Sequence, residues 1–434
     1  MSSPSVTHRP RLAVLVDLPR SAEAGGHVKY WERIAGAAAE AADFPFDLTV
    51  YFSGGEADET PAAHVRLRHL RPVFSTARLK FLPYVPDHSD LASFHRRLAR
   101  DLPAYDLIHT TDAYFAFAKT AERIARRLGV PLTSSFHTDT PAYARIFTRQ
   151  TIDRLFRRWP WLRRKLIEDW RAPDRQGAKM ERLLRRHLRA ASHVFFTRAE
   201  DRRLAEEIRD AADVSRLRIG VDKNLFGPHR REQAALRRDY AIPEDRVIAL
   251  FVGRVDIGKN VPVLIEAAQR ALAAGAPLHL IVAGLGPMRT DLAERLAGHI
   301  SLPGFVSPSE LGRLYASADF VALPSEVEIG GMAVAEAIAA GAPMLLARKA
   351  SSASVFDHTE AIRLVEGGAE AWTAALAEMA SSADSRRSMR QAALDYGARG
   401  LASWSDVLRE DLTPGWRAAL ARTRKEHVRS NRDA

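Results

Sequence analysis

The chain has 434 residues, 46% hydrophobic and 27% charged, with 25 Gly, 23 Pro and no Cys. That length suggests two or three domains with cores of their own, and the composition excludes a disordered or fibrous chain. The formal net charge is +11. A chain without cysteine has neither a disulfide framework nor a thiolate metal site, which fits a cytoplasmic address. No apolar run approaches the roughly 18–20 residues of a membrane span, and residues 12–16 are too short for the core of a signal peptide.

Along the chain, residues 12–16 read as a buried strand, followed by a loop with Gly25-Gly26 and an Ala-rich helix over 30–42. Residues 48–52, 107–109 and 131–136 are further short apolar strands, with a helix over 116–128 before the last of them. Next comes a basic stretch, Arg145 to Arg189, holding 15 Lys or Arg against 5 Asp or Glu. In it Ile152, Leu155, Phe156, Trp159, Leu162, Leu166 and Trp170 recur at helical spacing, with Arg154, Arg157, Arg158, Arg163, Arg164 and Lys165 in the gaps. Pro160 predicts a break into two short helices, because proline is accepted in a first turn and not in a helix interior. Such a segment can lie in an anionic bilayer interface, pack on a core with a solvated Arg face, or meet nucleic acid. No helix-turn-helix, zinc-finger or RNA-binding signature accompanies it.

Residues 193–197 form another strand, and the polar stretch 215–232 marks a domain boundary. A second alternation then runs through strands at 247–252, 278–283, 300–302, 320–323 and 343–347, with helices at 261–274, 289–297, 311–316 and 332–340. From residue 401 the chain reads as a helical tail, and its last nineteen residues carry 6 basic against 2 acidic groups. The expected organisation is two α/β domains, 1–215 and 216–400, each a doubly wound Rossmann-like sheet, facing each other across a cleft, with a basic tail over 401–434.

Three turns in the second half follow strands and carry the informative residues. Gly253-Arg254 with Lys259 puts a sharp turn and two cations at one helix start, as a diphosphate requires. Gly284-Leu285-Gly286-Pro287 is a tight turn whose backbone could approach a flat ligand. Residues 324–337 place Glu328 on a loop, Gly331 before a helix and Glu336 inside it. Free N–H groups at that helix start suit an anion, and ionised Glu accepts from sugar hydroxyls; Glu near a helix start is equally ordinary capping chemistry.

Taken in order, these residues resemble the retaining glycosyltransferases of family 4, which have the two-domain GT-B fold. The resemblance implies that Arg254 and Lys259 hold a nucleotide's diphosphate, that Glu328 contacts the donor sugar, and that Glu336 contacts the ribose. It also implies that Gly25-Gly26 is the family's N-terminal glycine loop beside the donor phosphates. Residues 135–143, with His137, Asp139 and Tyr143, are similar to a stretch in members that glycosylate lipids, such as mannosyl-, glucosyl- and sulfoquinovosyltransferases. By that likeness His137 sits beside the reacting centre, with Asp139 and Tyr143 on the acceptor side. Three departures stand out: Gly258 where many relatives have Glu, Ile329-Gly330 after Glu328, and His27-Val28 after the glycines.

The resemblance leads us to expect a transferase that moves a hexose from a UDP- or GDP-linked donor, with retention, to a lipid or glycan acceptor. It would work at the cytoplasmic membrane face, in peripheral contact with anionic lipid. No cofactor, metal or nucleic-acid partner is expected; there is no Asp-x-Asp motif to hold a metal. A soluble transferase of polysaccharides or small glycosides, or a nucleotide-sugar epimerase, would share the same motifs.

Overall fold

The computed structural model describes residues 9–21, 24–78, 89–137, 139–326, 331–356 and 358–430. The chain divides into two units, Met1–Arg218 with Trp404–Ala434, and Ile219–Ser403.

The first unit is built on eight strands: β1 Arg11–Pro19, β2 Asp47–Ser53, β3 Glu59–Ala62, β4 Val65–Leu70, β5 Leu107–Thr110, β6 Leu132–Ser135, β7 His193–Phe196 and β8 Val214–Arg216. They lie in the order β3-β4-β2-β1-β5-β6-β7-β8, parallel throughout except for β3. The central strand β1 is buried on both faces from Leu12 to Val16, which is why that stretch is a continuous apolar run rather than an alternating one. β4 does alternate, with Val65 and Leu67 inward and Arg66 and Arg68 outward. The exposed edge strand β3 carries Pro61, a residue that blunts further pairing.

After β1 the chain passes into the helix Gly26–Glu40, which buries Val28, Trp31, Ile34, Ala35 and Ala38, the spacing of one helical face. It starts earlier than residue 30, with Gly25 as its N-cap. The helix Ala116–Leu128 lies where the apolar period places it and ends on the left-handed Gly129.

The tail is not a separate segment: it belongs to the first unit. Trp416 is fully buried, with Phe46, His109 and Phe195 around its ring. Arg218, at the last position before the second unit, grips Asp411 through Nε and a terminal nitrogen (3.0 and 2.7 Å) and reaches Glu410 (2.6 Å). These long-range contacts explain why a boundary drawn at the polar stretch misses the tail's true partner.

The second unit has six parallel strands: β9 Val247–Val252, β10 Leu278–Ala283, β11 Ile300–Gly304, β12 Phe320–Leu323, β13 Met344–Ala347 and β14 Ile362–Val365. Their order is β11-β10-β9-β12-β13-β14. The chain steps outward from β9 through β10 to β11, then returns to the other side of β9 with β12. The crevice at the carboxyl ends of β9 and β12 is therefore the topological switch point, where such sheets bind ligands. Sequence periodicity missed β14 and the two helices after it, Ala369–Ser381 and Ala383–Arg399.

Replacing Trp416 with Ala should destabilise the first unit by about 3–5 kcal/mol, the cost of a large core cavity. Urea unfolding followed by tryptophan emission measures it, since six of the seven tryptophans lie in that unit.

Candidate functional site

The two glycine turns of the second unit, after β9 and after β10, lie together at its switch point. β9 is followed by Gly253 (φ 142°), whose N–H donates to the Ala283 carbonyl at 3.1 Å, and Val255 N–H donates to the Leu285 carbonyl at 2.8 Å. The turns after β9 and β10 thus stay zipped beyond the strands themselves. A side chain on Gly284 would place its Cβ 1.9 Å from the Gly253 carbonyl oxygen, and one on Gly286 would lie 2.3 Å from that of Val255. Both positions have strongly positive φ as well. These glycines are thus required for one turn to approach the other, a reason independent of any ligand.

Asp256 organises the turn that carries the two cations. Its Oδ2 accepts from Arg254 Nε at 3.1 Å, and its Oδ1 accepts from the Lys259 backbone N–H at 2.9 Å, capping the short turn Ile257–Lys259. It is nearly buried, while Arg254 keeps about a quarter of its side chain exposed. One carboxylate thereby orients one cation and fixes the backbone of the other. Asp256 is absent from the motif residues read from sequence, although an Asp three residues before the capped N–H is a recognisable signal. Asn260, in the left-handed region, opens the helix Val261–Ala273, and its Nδ2 donates to the Pro324 carbonyl at 3.2 Å. That bond ties the Arg254–Lys259 turn to the end of β12.

Beyond β12, Ser325 is buried and its Oγ lacks a hydrogen-bond partner among the described residues, as does the Ser352 hydroxyl. Glu328 lies outside the described residues. Gly331 (φ 60°) caps the helix Met332–Ala339, and a Cβ there would press on Phe356 at 2.8 Å and Ser352 at 3.0 Å. Glu336 is half-buried in the second turn of that helix.

In the first unit, Gly25 and Gly26 begin the helix Gly26–Glu40, whose first turn has no acidic residue and no side-chain cap. His27, one residue on, stacks on His137 with ring centroids 4.7 Å apart and planes at 12°. His137 follows β6 and is held by Trp31, whose indole N–H donates to its Nε2 at 3.2 Å, and by the Ser135 hydroxyl at 2.8 Å. Burial pushes the His27 ring down to about 3, and His109 likewise to about 3. Burial, then the neighbouring His27 and His109, hold His137 well below the ordinary imidazole range. All three rings are therefore neutral at physiological pH. Trp31 and Ser135 were missed from sequence; His27 and Trp31 stand four residues apart, on one helical face.

Asp139 has other work. Its Oδ1 accepts from the Ala142 N–H at 2.9 Å, capping the helix Thr140–Leu155, and its Oδ2 faces Arg198 at 3.4 Å. Tyr143, in the first turn, stacks on Phe147. The basic stretch then forms Thr140–Leu155, Pro160–Arg164, a π turn over Lys165–Asp169 and the helix Ala172–Ala190. Pro160 is the first residue of its short helix, as proline chemistry dictates. Of the large apolar residues here, Ile152 is buried, whereas Leu155, Trp159, Trp161 and Trp170 are 44%, 52%, 66% and 50% exposed. A core-packed helical pair with only a solvated Arg face does not describe this segment.

Residues 232–395, most of the second unit, match the family described as glycosyl transferases group 1. The chain is 29% identical over 225 residues to a D-inositol 3-phosphate glycosyltransferase of Segniliparus rotundus, covering 48% of this chain and 49% of that protein. It is 33% identical over 132 residues to a GDP-mannose-dependent alpha-(1-6)-phosphatidylinositol dimannoside mannosyltransferase of Mycobacterium tuberculosis, covering 30% of this chain and 34% of that protein. The chain thus spans half or less of the length of these relatives. Among solved structures it resembles Anabaena HepE in complex with UDP and glucose, with a TM-score of 0.61 and 15% identity, over 93% of this chain and 98% of that one. The fold is that of the GT-B glycosyltransferases, two parallel-sheet α/β units with C-terminal helices, and the chain resembles the family 4 enzymes that glycosylate lipids.

Gly284→Ala should cost the second unit about 3 kcal/mol or more, since its Cβ meets backbone that cannot yield. Gly275→Ala, also at positive φ but facing open space, should cost only about 1 kcal/mol. Thermal or urea unfolding of the two variants decides this.

Proposed function

We propose that this protein is a retaining glycosyltransferase that moves a hexose from a nucleoside diphosphate sugar to a lipid or lipid-linked acceptor at the cytoplasmic membrane face. The observation that carries the donor half is the arrangement at the β9 switch point: Arg254 oriented by Asp256, Lys259 on the turn that Asp256 caps, and the Glu336 helix starting after β12. These groups stand in the stretch that matches the glycosyl transferases group 1 family.

Breaking the sugar–phosphate bond leaves charge on the departing diphosphate while the sugar becomes cation-like. Fixed cations aimed at that charge lower the barrier by several kcal/mol, of the order known for single oxyanion-hole donors. On this reading Arg254 and Lys259 supply that stabilisation without a metal, Glu328 holds the sugar and Glu336 the ribose. Gly25-Gly26 presents a helix start whose polarity suits phosphate. Retention follows if the leaving phosphate oxygen takes the acceptor's proton on the face it has just left.

The acceptor half rests on the basic hairpin. Three half-exposed or more exposed tryptophans among cationic residues suit the interface of an anionic bilayer, where the ring is partly apolar and the cations meet headgroups. One relative of the chain is a mannosyltransferase acting on a phosphatidylinositol dimannoside, and a lipid acceptor agrees with that surface.

Arg254→Ala or Lys259→Ala should weaken nucleoside diphosphate binding roughly 10- to 150-fold, the loss of one charge-assisted hydrogen bond, by calorimetric titration. Glu328→Ala should lower turnover of the sugar donor while binding of the free nucleotide stays near that of the parent. Loss of melting temperature alone in all three would overturn the site. A thermal-shift comparison of UDP-, GDP- and ADP-linked sugars identifies the donor, because the ligand bound raises the melting temperature. In flotation at low salt, the protein should rise with anionic and not with neutral vesicles, and Trp159→Ser with Trp161→Ser should reduce recovery. Equal recovery with both vesicle types would point to a soluble acceptor.

A further inference from the structure

The hydrogen bonds around His137 leave it no choice of tautomer. Trp31 is fully buried, and its indole nitrogen can only donate; it lies 3.2 Å from His137 Nε2, so that nitrogen must carry the lone pair. A second donor reaches the same atom by a chain that starts in the C-terminal tail. Trp416 Nε1 donates to His109 Nδ1 at 3.3 Å, and the Thr133 hydroxyl lies 2.8 Å from that nitrogen. The proton of the neutral His109 ring is therefore on Nε2, which donates to Ser135 Oγ at 3.0 Å. With that oxygen accepting, the Ser135 hydroxyl proton points onward to His137 Nε2 at 2.8 Å. Both chains run in one direction and end on the same lone pair. A proton on His137 Nε2 would face the Trp31 N–H head-on and strand a buried donor.

The other groups around the ring act in the same sense. His27 stacks on one face, Tyr30 lies 4.9 Å away and His109 stands behind Ser135. None carries negative charge at neutral pH, so none favours an imidazolium. His137 Nδ1 makes no hydrogen bond among the described residues, and the residue as a whole keeps some exposure.

We propose that Trp31 and the Trp416–His109–Ser135 chain fix His137 as a neutral imidazole with its proton on Nδ1, so that it meets a substrate oxygen as a hydrogen-bond donor and cannot serve as the base of the transfer. Trp31 and Ser135 are positioning residues, acting through His137. The substrate role rests on the proposed glycosyltransferase function; the tautomer does not.

Long-range 1H–15N NMR of the full chain with 15N-labelled histidine tests it, His137 being assigned by its loss in His137→Asn. The expected spectrum has a pyridine-like Nε2 and a pyrrole-like Nδ1 for His137, unchanged from pH 8 to pH 5. In Trp31→Phe with Ser135→Ala, Nε2 should become partly pyrrole-like. A pyrrole-like Nε2 in the parent, or titration between pH 6 and 7, overturns the inference. In donor turnover, His137→Asn retains a donor near the Nδ1 position and should run about tenfold faster than His137→Ala, one hydrogen bond's worth. Equal inactivity of the two, with parent-like melting, would mark His137 as a base and overturn the inference. The NMR readout stands even if no sugar is transferred, so the failure of the tautomer and of the proposed activity are separable.

Discussion

A single buried carboxylate sets the geometry on which the candidate donor site depends. Asp256 takes the Arg254 Nε on one oxygen and the Lys259 backbone N–H on the other. A long cationic side chain held in one rotamer before an anion arrives loses less freedom on meeting it. With Asp256 in place, one cation is oriented and the other is delivered by a capped turn. The cost is electrostatic, because one negative charge offsets part of two positive ones. On the proposed function, that trade would let the site release a diphosphate after holding it.

The same logic of a fixed framework appears in the first unit, by different means. Here no charge is used. Three neutral imidazoles, two indoles and a serine occupy the region below the glycine start of the helix Gly26–Glu40. Burial makes ionisation costly, and hydrogen-bond direction makes the proton positions of His109 and His137 definite. The C-terminal tail contributes the first donor of that series, so a segment that looks like an appendage in the sequence helps to organise the interior of the sheet it rejoins.

The basic hairpin stands apart from this economy of burial. Its tryptophans are left half-exposed or more by the fold that surrounds them, which is how apolar area differs here from the buried interior of the sheets. Exposure is the property that distinguishes this hairpin from a core helix of identical pattern.

Much of the architecture was legible in the residues themselves. Strands β9, β10 and β12 fall on the apolar runs that announce them, because strands covered on both faces are near-continuously apolar. The order of Gly253, Arg254, Lys259, Glu328 and Glu336 was enough, through its family resemblance, to name the kind of fold. β4 and β14 escaped, being short edge-side strands with polar residues between apolar ones. What local spacing could not contain was decided by tertiary structure. Trp31 and His137 are 106 positions apart, and Trp416 and His109 are 307 apart. Only folding brings a donor that cannot accept to a ring that can do either, and so converts an ambiguous histidine into a defined one. Only folding, likewise, shows that Gly284 and Gly286 exist to let one turn lie against another, since a close approach is a property of two backbones and neither one's sequence records it.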